Sequence, residues 1–91
     1  MQFYHFTEFA WPHLPPDDQF SSARLNLPSS VYDPKRGADL YNMCLDQYVL
    51  ADELGLNGMV NEHHQTATCL NSSGVVPLSI LARQTKKGRI L

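Results

Sequence analysis

Charge of either sign is sparse in this 91-residue chain: seven Lys and Arg stand against nine Asp and Glu, a net of −2, and neither sign forms a run. Holding a phosphate backbone requires a basic stripe, so no nucleic acid is expected as a partner. Long hydrophobic runs are missing too. No stretch approaches the length that spans a bilayer, and Met1-Gln2-Phe3-Tyr4-His5 lacks the basic start and apolar core of a secretory signal. No membrane association is expected, and the location expected is cytoplasmic. Cysteine is nearly absent: Cys44 and Cys69 have no CxxC spacing, read as reduced thiols, and carry little functional weight. The length allows one small domain, whose apolar surface stays largely near water.

What is present is an alternation of element types. Residues 2 to 10 are rich in aromatic and apolar side chains and read as strand one, stopped at Trp11-Pro12 because proline has no N–H to donate. From Trp11 to Gly37 the chain carries five of its six prolines and shows no periodicity. A structureless connection this long is uncommon and reads as a lid or binding loop, the other reading being a disordered insertion; Phe20, Leu25, Leu27, Val31 and Tyr32 support the lid. Asp39 is the expected N-cap of a helix to about Leu54, with Tyr41, Cys44, Leu45, Tyr48 and Ala51 on one buried face and Gly55 as the stop. Leu56 to Val60 reads as strand two. A second helix is expected from about Val75 to Lys87, with Pro77 in its first turn, Leu78, Leu81 and Ala82 inward, and Lys86 and Lys87 complementing the helix dipole. Arg89-Ile90-Leu91 reads as the opening of a third strand.

Between strand two and the second helix lies Asn61-Glu62-His63-His64-Gln65-Thr66. A carboxylate and two imidazoles at the carboxyl end of a strand are placed for chemistry, because alternating β/α folds present their reactive groups from strand ends and βα loops. The order of elements implies an α/β fold: the first two βα units of a TIM (β/α)8 barrel, about a quarter of it, truncated at the start of strand three.

Four segments in order resemble the bacterial luciferase-like flavin-dependent monooxygenases. Met1-Gln2-Phe3-Tyr4-His5-Phe6 resembles that family's first strand, Ala51-Asp52-Glu53-Leu54-Gly55-Leu56 its helix-to-strand turn, and Glu62-His63-His64 its Glu-His-His after strand two. Ala82-Arg83-Gln84-Thr85 with Arg89-Ile90-Leu91 is similar to the second helix and the lead into strand three. The resemblance covers the chain apart from the long loop and implies an N-terminal fragment, residues 1–91, of a luciferase-like TIM-barrel domain. It implies that reduced FMN, or alternatively a deazaflavin, activates O2 for transfer of one oxygen atom to a small organic substrate. The complete protein is then an oxidoreductase, dimeric and supplied by a flavin reductase, while the fragment alone is inactive.

By the same resemblance His63 is the catalytic proton-handling residue, a role suited to a side chain that titrates near neutrality. Glu8, Asn61, Glu62, His64, Gln65 and Thr66 line the cofactor and substrate pocket. Neighbours in an extended segment point to opposite sides, so one of His63 and His64 is expected to face the flavin while the other packs. Glu62 either fixes an imidazole tautomer or belongs to a loop network around Asn61. Gly58, Gly74-Val75-Val76-Pro77 and Lys87-Gly88 depart from the family pattern and are expected to weaken local structure. Two other readings stand beside this one: a noncatalytic flavoprotein-like subunit or gene fragment, and a metal-dependent hydrolase. The adjacent His63 and His64 argue against the hydrolase, since two metal ligands on one strand alternate, and no metal site is expected. His5 and His13 receive no role, and Trp11 is either a pocket wall or an anchor under the loop.

Overall fold

A computed structural model describes residues 1–91. Two short strands, β1 (Tyr4–Phe6) and β2 (Asn57–Met59), pair in parallel with Tyr4 opposite Asn57, His5 opposite Gly58 and Phe6 opposite Met59. Helix α1 (Pro34–Glu53) joins them, and α2 (Val75–Gln84) follows β2.

Asp33, and not Asp39, starts α1. Its carboxylate accepts from the N–H groups of Lys35 and Arg36 at 2.9 and 3.1 Å, with Pro34 in the first turn where its missing donor has no consequence. The helix buries Cys44, Leu45, Tyr48 and Ala51 on one face, as the three-and-four spacing predicts. Phe9, Cys44, Leu45, Tyr48 and Leu81 form the core, with Tyr41, Val60, Leu70, Ile80 and Ile90 packed around it. At Gly58 a Cβ would stand 3.1 Å from the Tyr48 ring, so any larger residue would push the ring aside. The glycine admits the ring and so serves packing.

Helix α2 ends at Gln84, three residues short of its expected end, and Ala82 is exposed. Lys86 and Lys87 therefore do not sit on the helix. With Gly88 they turn their backbone N–H groups onto the Asp52 carboxylate, and Lys87 Nζ reaches the Glu53 carbonyl at 3.2 Å. Three N–H donors, Gly88 first, hold the Asp52 carboxyl below its ordinary range. A Cβ on Gly88 would come within 2.5 Å of the Leu56 carbonyl oxygen, so that close approach also demands glycine.

The architecture corrects the barrel expectation: this is a small α/β unit with two α-helices and a two-stranded parallel sheet, and it is not two βα units of a TIM (β/α)8 barrel. Strand one is cut to three residues because Thr7 gives its N–H to the Tyr48 hydroxyl and Phe9 turns to φ 51°. The segment expected as strand three adds a single parallel bridge, Gly58 to Ile90. The loop after β2 then folds back antiparallel onto the exit of β1 through the bridge between Ala10 and Cys69, closing that end of the sheet. No helix is long and apolar enough to cross a membrane.

Candidate functional site

Phe9 is the pivot on which the site is hung. Its left-handed backbone is disfavoured for a bulky residue, by about 1–3 kcal/mol, and its fully buried ring in the core holds it there. The turn aims the Phe9 carbonyl at Leu70 N–H, 2.8 Å away, and lets Trp11 N–H reach the Thr68 carbonyl at 2.9 Å. These bonds fix the return limb of the loop that begins at Asn61.

Asn71 closes that loop from inside. Its buried side-chain amide donates to the Asn61 carbonyl, and its own carbonyl accepts from His63 N–H at 3.1 Å. Glu62 Oε2 accepts from Gly74 N–H at 3.1 Å, so its charge lies at the entry to α2 and not on an imidazole. A carboxylate is favoured there by the positive end of the helix. Gln65 is exposed and donates to the Ser72 carbonyl at 3.2 Å, while Thr66 Oγ1 donates to the Ala23 carbonyl at 2.7 Å and so fastens the long loop to the site.

His63 and His64 lie together, with ring centroids 4.2 Å apart and planes tilted by 45°. The expectation that they point to opposite sides fails because the backbone here is an irregular loop and not an extended strand. His64 is held below the ordinary histidine range by burial first, then by the neighbouring His63 and Arg24, with Glu8 acting in the opposite direction. Glu8, at the exit of β1, thus lies near enough to His64 for its charge to act on that imidazole.

Cys69 is the residue that sequence reasoning passed over. Its Sγ lies 2.6 Å from His63 Nδ1, although six residues separate them along the chain. No sequence spacing signals this pair, since it exists only because the loop folds back at Asn71. Cys69 also lines a cleft of about 190 Å³, together with Gln65, Thr66 and Leu70 from the same loop and Ser29 and Tyr32 from the long one.

The long connection is not structureless. It contains two single-turn 3-10 segments, Asp17–Gln19 and Ser29–Val31, and Leu27 and Trp11 are buried beneath it. Trp11 packs between His13 and Tyr32, each ring centroid 5.0 Å away, which makes it an anchor under the loop. Asn61 Oδ1 is buried without a hydrogen-bond partner. No three His, Cys, Asp or Glu side chains converge as a metal-ligand group. Compared with protein-family models, curated proteins and solved structures, the chain matches none.

Proposed function

We propose that the 61–66 loop is the proton-handling edge of a flavin-dependent monooxygenase site, the luciferase-like chemistry that Glu62-His63-His64 resembles. The observation that supports this most is the His63–His64 pair, 4.2 Å apart, in the same loop as a buried Asn61 Oδ1 that lacks a donor. His5 Nε2, Trp11 Nε1 and Tyr41 OH are buried and unpaired as well, so the Asn61 atom by itself does not point to a ligand. The residues that would lie against the ring edge of the cofactor are His63 and His64.

When bound in its reduced form, the flavin supplies the electrons that activate dioxygen for transfer of one atom to an organic substrate. His63 would do the proton work through its imidazole, whose Nδ1 faces Cys69. His64, biased toward its neutral form, lets His63 take up a proton without facing a second positive charge. The neighbouring cleft of about 190 Å³ is lined by Gln65, Thr66 and Cys69 and not by Asn61, His63 or His64; it is smaller than the roughly 300–1,000 Å³ of common small-molecule sites, so it admits a small substrate and not a whole nucleotide. FMN and a deazaflavin share the ring edge, and either satisfies this reading. A reductase supplying the reduced cofactor and a dimeric state of the complete protein belong to the same proposal.

The test is an anaerobic NMR titration with reduced FMN and with reduced lumiflavin, which carries the ring but no phosphate. Both should shift the His63 and His64 ring signals and the Asn61 side chain, saturating only in the millimolar range, and FMN fluorescence should show no micromolar quenching. Shifts scattered over the exposed side chains of Tyr4, Phe6 and Met59, with the histidines silent, would overturn the reading.

A further inference from the structure

We propose that His63 and Cys69 form a thiol–imidazole pair that makes Cys69 a modification site for small organic disulfides, a role that shares His63 with the flavin reading but needs no flavin. Cys69 Sγ and His63 Nδ1 are in direct contact, the juxtaposition that a thiol and its base require. Both partners stand on fixed backbone: His63 N–H is bonded to the Asn71 carbonyl, and Cys69 lies between the Thr68 carbonyl and the Leu70 N–H, which are bonded to Trp11 and Phe9. Reaction needs no rearrangement to bring base and thiol together.

The two thiols of the chain are differently placed. Cys44 is buried in the core, and burial pushes its thiol up, away from the reactive thiolate. Cys69 is half-buried and opens on the cleft of about 190 Å³, whose walls combine apolar Leu70 and Ala67 with polar Gln65 and Ser72. Such a wall accepts a compact, uncharged thiol fragment.

The step balances without any further reagent. The Cys69 thiol gives its proton to His63 Nδ1, and the sulfur then attacks one sulfur of the disulfide R–S–S–R. A new bond forms between Cys69 Sγ and that sulfur as the original S–S bond breaks. The other half leaves with the electron pair as a thiolate and takes the proton from His63 as R–SH. Cys69 is oxidised and the leaving sulfur is reduced, with the disulfide itself as oxidant.

The experiment uses the full chain with 2,2′-dithiodipyridine, following the released thiopyridone by absorbance and locating the adduct by peptide mass. Under native conditions one thiol should react quickly, and the adduct should map to Cys69. Cys44→Ser should keep the fast phase, and Cys69→Ser should lose it. His63→Ala should slow it by about a hundredfold or more, the lower range of help from a positioned base. Each rate is referenced to that of the same thiol in denaturant, so a variant that unfolds identifies itself. If His63→Ala unfolds, the wild-type chain still decides the matter: native Cys69 should outpace denatured Cys69. A native rate no faster than the denatured one, equal rates with and without His63 in folded chains, or an adduct on Cys44 would overturn the proposal.

Discussion

Tyr48 shows how much a single side chain can organise. Its ring lies in the core and contacts His5 edge-on at 4.6 Å, while its hydroxyl accepts from Thr7 N–H at 3.2 Å and donates to the Met59 carbonyl at 2.7 Å. One phenol thus ties the exit of β1 to the end of β2, and burial raises its pKa so that it keeps the proton it donates. Tyr48→Phe leaves both backbone groups without that partner and should destabilise the chain by about 1–3 kcal/mol in urea unfolding. His64 makes a pH prediction. Its folded pKa lies below its ordinary 6.5, so the folded chain binds its proton less readily than the unfolded one. Its contribution to stability is complete above 6.5 and is lost as pH falls through the lowered folded value. His64→Gln should flatten the fall in stability below pH 6.5, and denaturant midpoints measured across that range will show it.

At the scale of elements, helix starts and connections depend on a few carboxylates. Asp33→Ala should cost about 1 kcal/mol because it removes the cap of α1. Asp39→Ala, at an exposed position inside the helix, should stay within about 0.5 kcal/mol. Thermal unfolding of the two variants tests which aspartate begins the helix. The Asp33-Pro34 signal is present in the sequence, yet Gly37 and the preceding prolines make the region read as loop; buried Cys44, Leu45, Tyr48 and Ala51 were legible because their spacing repeats over two turns. Asp52 governs the connection after α2. Its lowered pKa means that the bonded carboxylate stabilises the fold fully above its ordinary 3.8 and progressively less as pH falls through the folded value. Asp52→Asn should loosen residues 86–88 and remove that acid-dependent component, which amide exchange at Lys86, Lys87 and Gly88 reports directly.

The whole molecule is open for its size. Its accessible surface of 6089 Å² exceeds the roughly 5,400 Å² expected for a compact 10.3 kDa chain, and only 13 of 91 residues are buried. The radius of gyration, 14.5 Å, is likewise above the ~12 Å of a compact domain this long. Tyr4, Phe6 and Met59 are exposed on one face of the sheet, while His5 and Gly58 face Tyr48 on the other. Strands this short with an uncovered apolar face leave little net stability. The chain at micromolar concentration should self-associate and should unfold at a low urea midpoint, and light scattering beside circular dichroism measures both. A monomer that withstands high urea would show that the small core suffices.

Local patterns in the sequence were enough to determine the order of elements and the buried face of α1, because periodicity is a property of neighbouring residues. They could not determine how far a strand runs or where a loop returns. Only the tertiary structure decided that Phe9 ends the extended segment, that Glu62 serves the start of α2 and that Asn71 folds the loop back on itself. It also decided that Cys69, without weight as a sequence feature, meets His63. The physical reason is common to all of these: each depends on hydrogen bonds and packing set by how the whole chain folds, so even where both partners lie within a dozen residues the pattern of residues does not carry the geometry that joins them.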